Sequence, residues 1–228
     1  MLFLTDTEPS SSHRHLASHL IFSLEGETEW NIDGEQINCR GIYIDANAEH
    51  IGKGGGKFLS LLFVKTSSYA HTMEKKFLQG KSYFILDEKT VEDVVELVNQ
   101  QFEDPEILNR RILETCMVTD LEKPMYDERV QKTITMIEMK ETIDSNTIAE
   151  LSRHVCLSQS RLSHLFKAET KMSLAGYLAF EKLRKTYCYL MQGESITASC
   201  MKAGFDTPSH CAATCRKMFG LSLSKLKK

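Results

Sequence analysis

The sequence predicts a two-domain α+β protein, in which a small β-barrel followed by helices precedes an all-α domain of two helix-turn-helix units. Charge is divided unevenly: residues 127–228 carry 16 Lys and Arg against 10 Asp and Glu, whereas residues 1–126 carry 12 against 21. Apolar runs of strand length fill the first half, and apolar residues at helical spacing fill the second. We therefore place the domains at residues 1–122 and 123–228, with the basic domain facing a polyanion.

The composition is that of an ordinary globular protein. The chain has 228 residues, 42% hydrophobic and 26% charged, which excludes collagen-like, mucin-like and wholly disordered chains. No apolar stretch approaches the about 20 residues of a membrane span, and the N-terminus lacks the basic and long apolar regions of a secretory signal. We therefore expect a cytoplasmic protein with no membrane association, whose seven cysteines are reduced.

The strand signals lie in the first half of the first domain. The apolar runs of strand length are 19–24, 30–32, 42–44 and 58–64. Asp33-Gly34 follows the second run, and this dipeptide is typical of a hairpin turn. Beyond the strands, Thr90 is predicted to cap one amphipathic helix and Pro105 to begin another. These two helices either cover the barrel or pair with a second chain.

Four histidines in the first domain follow the order of a metal-ligating motif. His13 and His15 form an HxH pair, three residues separate His15 from His19, and six separate His19 from Gly26. This order resembles the first cupin motif, HxH(x)3-4E(x)6G, with His19 in place of the cupin glutamate. His50 stands for the histidine of a degenerate second motif. In cupins these side chains converge on a metal inside the barrel.

The resemblance implies a candidate metal site formed by His13, His15, His19 and His50. Neutral imidazoles suit divalent transition metals such as Fe, Ni, Cu, Zn or Mn. The alternative is that His13 and His15 lie in an N-terminal arm, while His19 and His50 are ordinary strand or loop residues. Sequence spacing does not decide between these alternatives, because it does not show whether the side chains converge.

The second domain is predicted to be helical throughout. Asp127 precedes a first amphipathic helix, and Thr147 with Glu150 forms the pattern of a capping box. A helix at 148–154, a short turn and a helix at 159–169 follow, and the last of these has a polar and basic outer face. A helix, a tight turn and a helix in this order predict a helix-turn-helix unit.

A second unit repeats the first after a long helix at 174–192. Ser195 is predicted to cap a short helix, and Thr207-Pro208 is predicted to begin a last helix that Gly220 ends. Corresponding positions of the two units lie 48 or 49 residues apart. Two such units on a linking helix can place their second helices in successive major grooves, about 34 Å apart.

A set of residues at fixed spacing runs through both units. Its members are Ile148-Ala149-Glu150-Leu151-Ser152, Ser158, Leu162, Leu165-Phe166-Lys167, Tyr177-Leu178, Leu183, Ile196, Ala203-Gly204-Phe205, Ser209, Arg216-Lys217 and Gly220-Leu221-Ser222. By these residues the segment 127–228 resembles the AraC/XylS family of bacterial transcription regulators. The resemblance implies a DNA-binding domain, and in that family a cupin-like N-terminal domain commonly binds an effector or dimerises.

Three cysteines depart from the family pattern. The family usually carries Phe at the positions of Cys211 and Cys215 and Ala at the position of Cys200. Three thiols on two packed helices suggest a soft-metal or oxidant-sensing site. We favour the alternative that they are small core side chains, because the family uses these positions for its core.

The outer faces of the second helices supply the candidate DNA contacts. The resemblance places Ser160, Ser163 and His164 at bases in the first unit, with Arg161 beside them. The equivalent positions in the second unit are Ser209, His210 and Ala213. Lys167, Arg216 and Lys217 are the expected phosphate contacts.

Ala213 predicts that the two units contribute unequally to the recognition of DNA bases. The family often has Arg at this position, and Ala contacts a thymine methyl group but does not read guanine. We therefore expect the first unit to carry most of the direct sequence specificity.

The resemblance implies a DNA-binding transcription regulator, and activation is more usual than repression in that family. The expected partners are double-stranded promoter DNA, RNA polymerase, a second copy of the chain and a small-molecule or metal effector. We expect no enzymatic activity, because no acid–base pair or activated nucleophile stands out. Two alternatives remain open: a cupin-type metalloenzyme fused to a DNA-binding module, and a DNA-binding dimer without an effector.

Overall fold

Two compact units divide the chain, one spanning Met1–Pro124 and the other beginning at Met125. The computed structural model describes residues 1–5, 12–54, 56–100, 104–220 and 222–224. The first unit combines antiparallel strands with helices, and the second is helical.

Antiparallel strands build the first unit. They are β1 (Leu2–Thr5), β2 (Ala17–Ser23), β3 (Thr28–Ile32), β4 (Glu35–Cys39), β5 (Gly41–Ile44), β6 (His50–Gly54), β7 (Phe58–Val64) and β8 (Tyr83–Ile85). One sheet has the order β1-β7-β2-β5-β8, and the other has the order β4-β3-β6. The β3–β4 hairpin turns at Asp33 and Gly34, which both have positive φ, as the Asp-Gly pair predicts.

The predicted barrel does not close. The strands β6 and β7 follow one another in the chain, yet β6 pairs with β3 while β7 pairs with β1 and β2. Among the described residues, no ladder joins an edge of one sheet to an edge of the other. Strand length and spacing do not specify strand partners, so the sequence predicts the strands but not their division into two sheets.

The strand β2 contributes to an apolar layer on each side of its sheet. Successive residues of a strand point to opposite faces. Leu20 and Phe22 join a cluster that includes the helices, whereas Ile21 packs in a second cluster with Trp30 and Ile32 of β3. Because this second cluster draws on both sheets, the two sheets face one another.

Helices cover the outer face of the five-stranded sheet. They are α1 (Ser68–Met73), continued by a π-helical turn at Glu74–Leu78, α2 (Glu88–Asn99) and α3 (Pro105–Thr115). Pro105 begins α3, as predicted. The prediction that Thr90 caps α2 is wrong: the cap is Asp87, whose carboxylate accepts the backbone N–H of Thr90 at 2.9 Å. Aspartate is the stronger N-cap, and Thr90 lies inside the first turn.

Six helices make up the described part of the second unit. They are α4 (Glu128–Met139), α5 (Thr147–His154), α6 (Gln159–Thr170), α7 (Leu174–Met191), α8 (Ile196–Lys202) and α9 (Pro208–Phe219). Ser195 caps α8 through its hydroxyl, Pro208 begins α9 and Gly220 ends it at a φ of 69°, all as predicted. The Thr207 hydroxyl caps α9. Within the described ranges, no helix has both the length and the apolar character that crossing a membrane requires.

The predicted capping box at the start of α5 is wrong. The N-cap is Asn146, whose side chain makes no capping hydrogen bond. The buried hydroxyl of Thr147 instead donates to the Asp144 carboxylate at 3.0 Å and accepts the Asp144 backbone N–H at 3.0 Å. Glu150 pairs with Lys140 at 2.6 Å and does not reach back to the cap. Asp144 precedes the pattern, and its backbone carbonyl accepts the Thr147 backbone N–H at 3.3 Å, the group that the motif assigned to Glu150.

Thr147→Val is expected to destabilise the second unit by about 1 kcal/mol, because it removes the buried hydroxyl of this turn without changing its shape. Glu150→Ala is expected to cost about 0.5 kcal/mol or less, since it removes only a partly exposed ion pair. Urea unfolding of both variants, followed by circular dichroism, measures the difference. A larger loss of unfolding free energy for Glu150→Ala than for Thr147→Val would support the capping box instead.

Candidate functional site

The N-terminal histidines come together where the segment before β2 meets β6. His13 and His50 form an isolated antiparallel bridge, with backbone N–H to O distances of 3.1 and 3.0 Å. The carbonyl of His15 accepts the backbone N–H of Asn47 at 2.8 Å. These backbone contacts hold His13 and His15 against the rest of the first unit, so these two residues do not form a separate N-terminal arm.

Three imidazoles present their ligand atoms to a common point. One ring nitrogen from each of His13, His15 and His50 lies within 4.8 Å of the other two. His15 and His50 are buried, at 4% and 3% exposure. The fourth predicted ligand, His19, lies outside this set. Its Nε2 is 2.8 Å from Nδ1 of His15, and the two rings stack with their centroids 3.8 Å apart.

Backbone carbonyls lie within hydrogen-bond distance of Nδ1 in two of these rings. Nδ1 of His15 lies 3.1 Å from the carbonyl oxygen of Ala17, and Nδ1 of His50 lies 2.9 Å from that of Ala48. A carbonyl oxygen only accepts, so Nδ1 of His50 carries the proton and its Nε2 carries a lone pair. Nδ1 of His15 faces both the carbonyl of Ala17 and Nε2 of His19, and with the proton on this Nδ1 the Nε2 of His15 likewise carries a lone pair. Ala17 and Ala48 are the contributors that sequence reasoning missed, since a backbone carbonyl leaves no mark in the residue pattern.

Burial keeps these rings neutral. Loss of hydration lowers the pKa of His15 and of His19 well below the usual value, and the neighbouring imidazoles lower it further. Burial also lowers the pKa of His50 to about 4. At neutral pH His15 and His50 therefore offer uncharged nitrogen donors, the form that binds metals.

The predicted DNA-contacting residues lie on the exposed faces of two helices. On α6, Ser160, Arg161, His164 and Lys167 are exposed and Ser163 is partly exposed. On α9, Ser209, His210, Ala213, Arg216 and Lys217 are all exposed. Each exposed face begins at the N-terminus of its helix. The hydroxyls of Ser158 and Thr207 cap these N-termini by accepting a first-turn backbone N–H.

The opposite faces of these helices form the core, which sets their orientation. Leu162 and Phe166 of α6 are fully buried. The Phe166 ring packs against the ring of Tyr177 of α7, with the two ring centroids 5.3 Å apart. Cys211 and Cys215 are the corresponding buried residues of α9. A helix with one apolar stripe turns its polar face outward, so packing determines which side chains reach solvent.

The three cysteines are core side chains. Cys200, Cys211 and Cys215 are completely buried, and the hydroxyl of Thr186 lies 3.9 Å from Sγ of Cys211. Burial raises the pKa of Cys215 to about 12 and also raises those of the other two. Within the part of the chain that the structure describes, these thiols do not form a three-ligand group. Burial of this kind disfavours the thiolate, the form that binds metals and reacts with oxidants.

Sequence comparison finds two relationships to known proteins. Residues 151–228 match a family described as a helix-turn-helix domain. The chain is also 28% identical over 130 residues to the arabinose operon regulatory protein of Escherichia coli (strain K12). That alignment covers 54% of this chain and 44% of the regulator, so the match spans less than half of the relative's length.

Comparison with solved structures finds the same fold in ToxT from Vibrio cholerae. A 1.65 Å structure of ToxT aligns with a TM-score of 0.60 at 9% identity, covering 99% of this chain and 96% of that chain. ToxT with a bound unsaturated fatty acid aligns with a TM-score of 0.57 at 8% identity, covering 97% and 92%. The sequence matches confirm the resemblance to the AraC family and a helix-turn-helix domain in the second unit. The alignments with ToxT show a shared fold.

Proposed function

We propose that this AraC-type protein regulates transcription by binding double-stranded promoter DNA through two helix-turn-helix units, α5–α6 and α8–α9. The observation that carries the proposal is that α6 and α9 share the same arrangement of buried and exposed faces. Each follows a short helix and a turn, each is oriented by a buried stripe, and each exposes polar and basic residues from its first turn onward. A helix presented in this way enters the major groove with its N-terminal residues at the bases.

Base reading falls to the first turns of these helices. In α6, Arg161 offers a guanidinium that can pair with guanine, and His164 lies one turn later on the same exposed face. Ser160 and Ser163 complete this set. In α9, Ser209, His210 and Ala213 occupy the equivalent surface, and of these only Ala213 lacks a hydrogen-bonding side chain. This difference supports a first unit that dominates direct sequence readout.

Phosphate binding falls to the cations near the other ends of the two helices. Lys167, Arg216 and Lys217 are exposed, and the segment 127–228 carries a surplus of six positive charges over its Asp and Glu residues. Cations of this kind position a protein on DNA without reading sequence. A protein that works on promoters acts where the chromosome is, and a cytoplasmic location therefore belongs to the proposal.

The first unit supplies the response to a signal and the contact between two copies of the chain. ToxT, which has the same fold, has been crystallised with an unsaturated fatty acid. An effector in the first unit, a homodimer and contact with RNA polymerase leading to activation are the finer parts of this proposal. They follow from the family resemblance.

The metalloenzyme alternative is less well supported. The three converging ligands are all imidazoles, and the nearby Glu49 is engaged by Arg14 at 2.6 Å and by Ser12 at 3.1 Å. An oxygenase or hydrolase needs an acid–base group at the metal. The cluster provides no free carboxylate for that role among the described residues.

The test is a DNA-binding titration of the full chain. The purified protein is titrated on the DNA upstream of its own gene and on a scrambled duplex of equal length, at several salt concentrations. The proposal expects tighter binding to the upstream DNA by about 1,000-fold or more. Equal affinity for the two duplexes at every salt concentration would refute sequence-specific regulation.

Lys217→Ala is expected to weaken binding to the upstream and scrambled duplexes by the same factor. It removes one phosphate contact, so the slope of log affinity against log salt should fall in magnitude by about 1. Lys132→Ala, at an exposed lysine of α4 that pairs with Glu128, serves as the control and should leave the slope unchanged. A loss confined to the upstream duplex would assign Lys217 to base reading instead.

A further inference from the structure

We propose that His13, His15 and His50 bind one divalent transition-metal ion where the segment before β2 meets β6, and that this ion is the signal to which the regulator responds. The metal site stands on the geometry of the first unit alone. Its role as a signal rests on the proposed function.

The first argument is an unpaired nitrogen inside the protein. Nε2 of His15 is buried, since His15 is only 4% exposed, and among the residues that the structure describes it has no hydrogen-bond partner. Buried polar atoms without a partner are rare, since each costs the hydration it has lost. With the proton on Nδ1, which faces the carbonyl of Ala17 and Nε2 of His19, this nitrogen carries a lone pair. A metal ion is the partner that a buried lone pair among other imidazoles fits.

The second argument is that the site is already oriented for a metal. Nδ1 of His15 and Nδ1 of His50 each face a backbone carbonyl, which leaves Nε2 of both rings for coordination. Histidine ligands in metal sites are oriented by the same kind of outer hydrogen bond. His19 adds a second outer contact to His15 at 2.8 Å. We therefore assign His19 as a positioning residue and not as a ligand.

The third argument concerns which ions the donor set accepts. The group holds three nitrogen donors, and neither a thiol nor a carboxylate belongs to it among the described residues. Hard cations such as Mg²⁺ and Ca²⁺ require oxygen ligands. Imidazole suits Zn²⁺, Cu²⁺, Ni²⁺, Co²⁺ and Fe²⁺. Three protein ligands also leave at least one position open for water.

The position of the site gives the ion a structural effect. His15 precedes β2 in the five-stranded sheet, whereas His50 begins β6 in the three-stranded sheet. An ion shared by these residues ties the two sheets together at this end, beside the His13–His50 bridge. The metal-bound and metal-free forms therefore differ in how firmly the sheets are joined, and this difference is available for regulation.

The experiment uses Co²⁺ as the probe. The full-length protein is stripped with a chelator, kept reduced and titrated with Co²⁺ while its absorption spectrum is recorded. We expect one equivalent to bind with visible d–d bands, no thiolate charge-transfer band, and displacement by Zn²⁺. A strong thiolate band would place the ion at cysteines and overturn the histidine site, as would the absence of Co²⁺ binding.

Four variants test the assignment of roles. His13→Gln and His50→Gln are expected to weaken Co²⁺ binding by more than about 100-fold, the upper end for loss of an outer partner. His19→Gln is expected to weaken it by about 10-fold to 100-fold and to shift the d–d bands while keeping one equivalent. His71→Gln, on α1, changes a histidine outside the cluster and should leave binding unchanged.

Circular dichroism of each variant separates loss of a ligand from loss of the fold. His13 is only partly buried, so His13→Gln tests the site even where His50→Gln fails to fold. Unchanged Co²⁺ affinity in a folded His13→Gln protein would overturn the site.

The signalling role is tested by DNA binding with and without Zn²⁺. We expect Zn²⁺ to change the affinity of the full chain for its upstream DNA by about 5-fold to 150-fold, and to change that of His13→Gln hardly at all. Co²⁺ bound at the histidines with unchanged DNA affinity would overturn the signalling role alone. Absence of any specific DNA binding would refute the proposed function, and the Co²⁺ spectra would still decide the metal site.

Discussion

Gly204→Ala is expected to lower the free energy of unfolding of the second unit by roughly 3 to 5 kcal/mol. Gly204 lies in the turn between α8 and α9 with a φ of +98°, a conformation that L side chains rarely adopt. A Cβ there would also overlap the backbone carbonyl of Ile143, with the carbonyl carbon only 2.7 Å away. Backbone on both sides leaves no flexible side chain to yield, so the turn itself must shift.

Gly193→Ala is the matched control for this prediction. Gly193 follows α7 with a φ of +90°, and a Cβ there meets nothing within 4 Å. It therefore carries the cost of the backbone conformation alone, about 1 to 2 kcal/mol. Circular dichroism in urea measures both variants, while the fluorescence of Trp30, the single tryptophan, monitors the first unit. Equal losses of unfolding free energy in the two variants would mean that the overlap with Ile143 is relieved without a measurable loss of stability.

The features that the sequence predicted well are local ones. Ser195, Thr207-Pro208 and Gly220 each act within one helical turn, and each lies at the boundary where its residue type predicts it. The capping box failed for the same local reason: Asp144, three residues before Thr147, takes the hydroxyl first. A motif four residues long does not reveal a competitor just outside it.

The features that the sequence missed depend on distant pairing. The strand β8 pairs with β5 about 40 residues earlier, and β6 leaves its neighbour β7 to pair with β3. The histidine cluster lies between these cases. Its members were identified from their spacing, but their convergence depends on the pairing of His13 with His50. His19 was predicted as a ligand because it replaces the cupin glutamate, whereas its ring stacks behind His15.

Arg161→Ala and His164→Ala are each expected to reduce the preference for the upstream duplex over the scrambled one by about 5-fold to 150-fold. This range corresponds to about 1 to 3 kcal/mol for one base contact. Both side chains are exposed on the outer face of α6. Binding to the scrambled duplex should change far less. His154→Ala, at an exposed histidine of α5, is the control.

The same measurement on α9 tests whether the two units contribute unequally. Ser209→Ala is expected to change the preference by less than either α6 variant, because the neighbouring Ala213 leaves α9 without a guanine reader. Ala213→Arg restores a long guanidinium on that exposed face and is expected to alter which bases the second half-site accepts. Equal losses of specificity from α6 and α9 would contradict a dominant first unit. Losses shared equally by the upstream and scrambled duplexes would move Arg161 and His164 from base reading to phosphate binding.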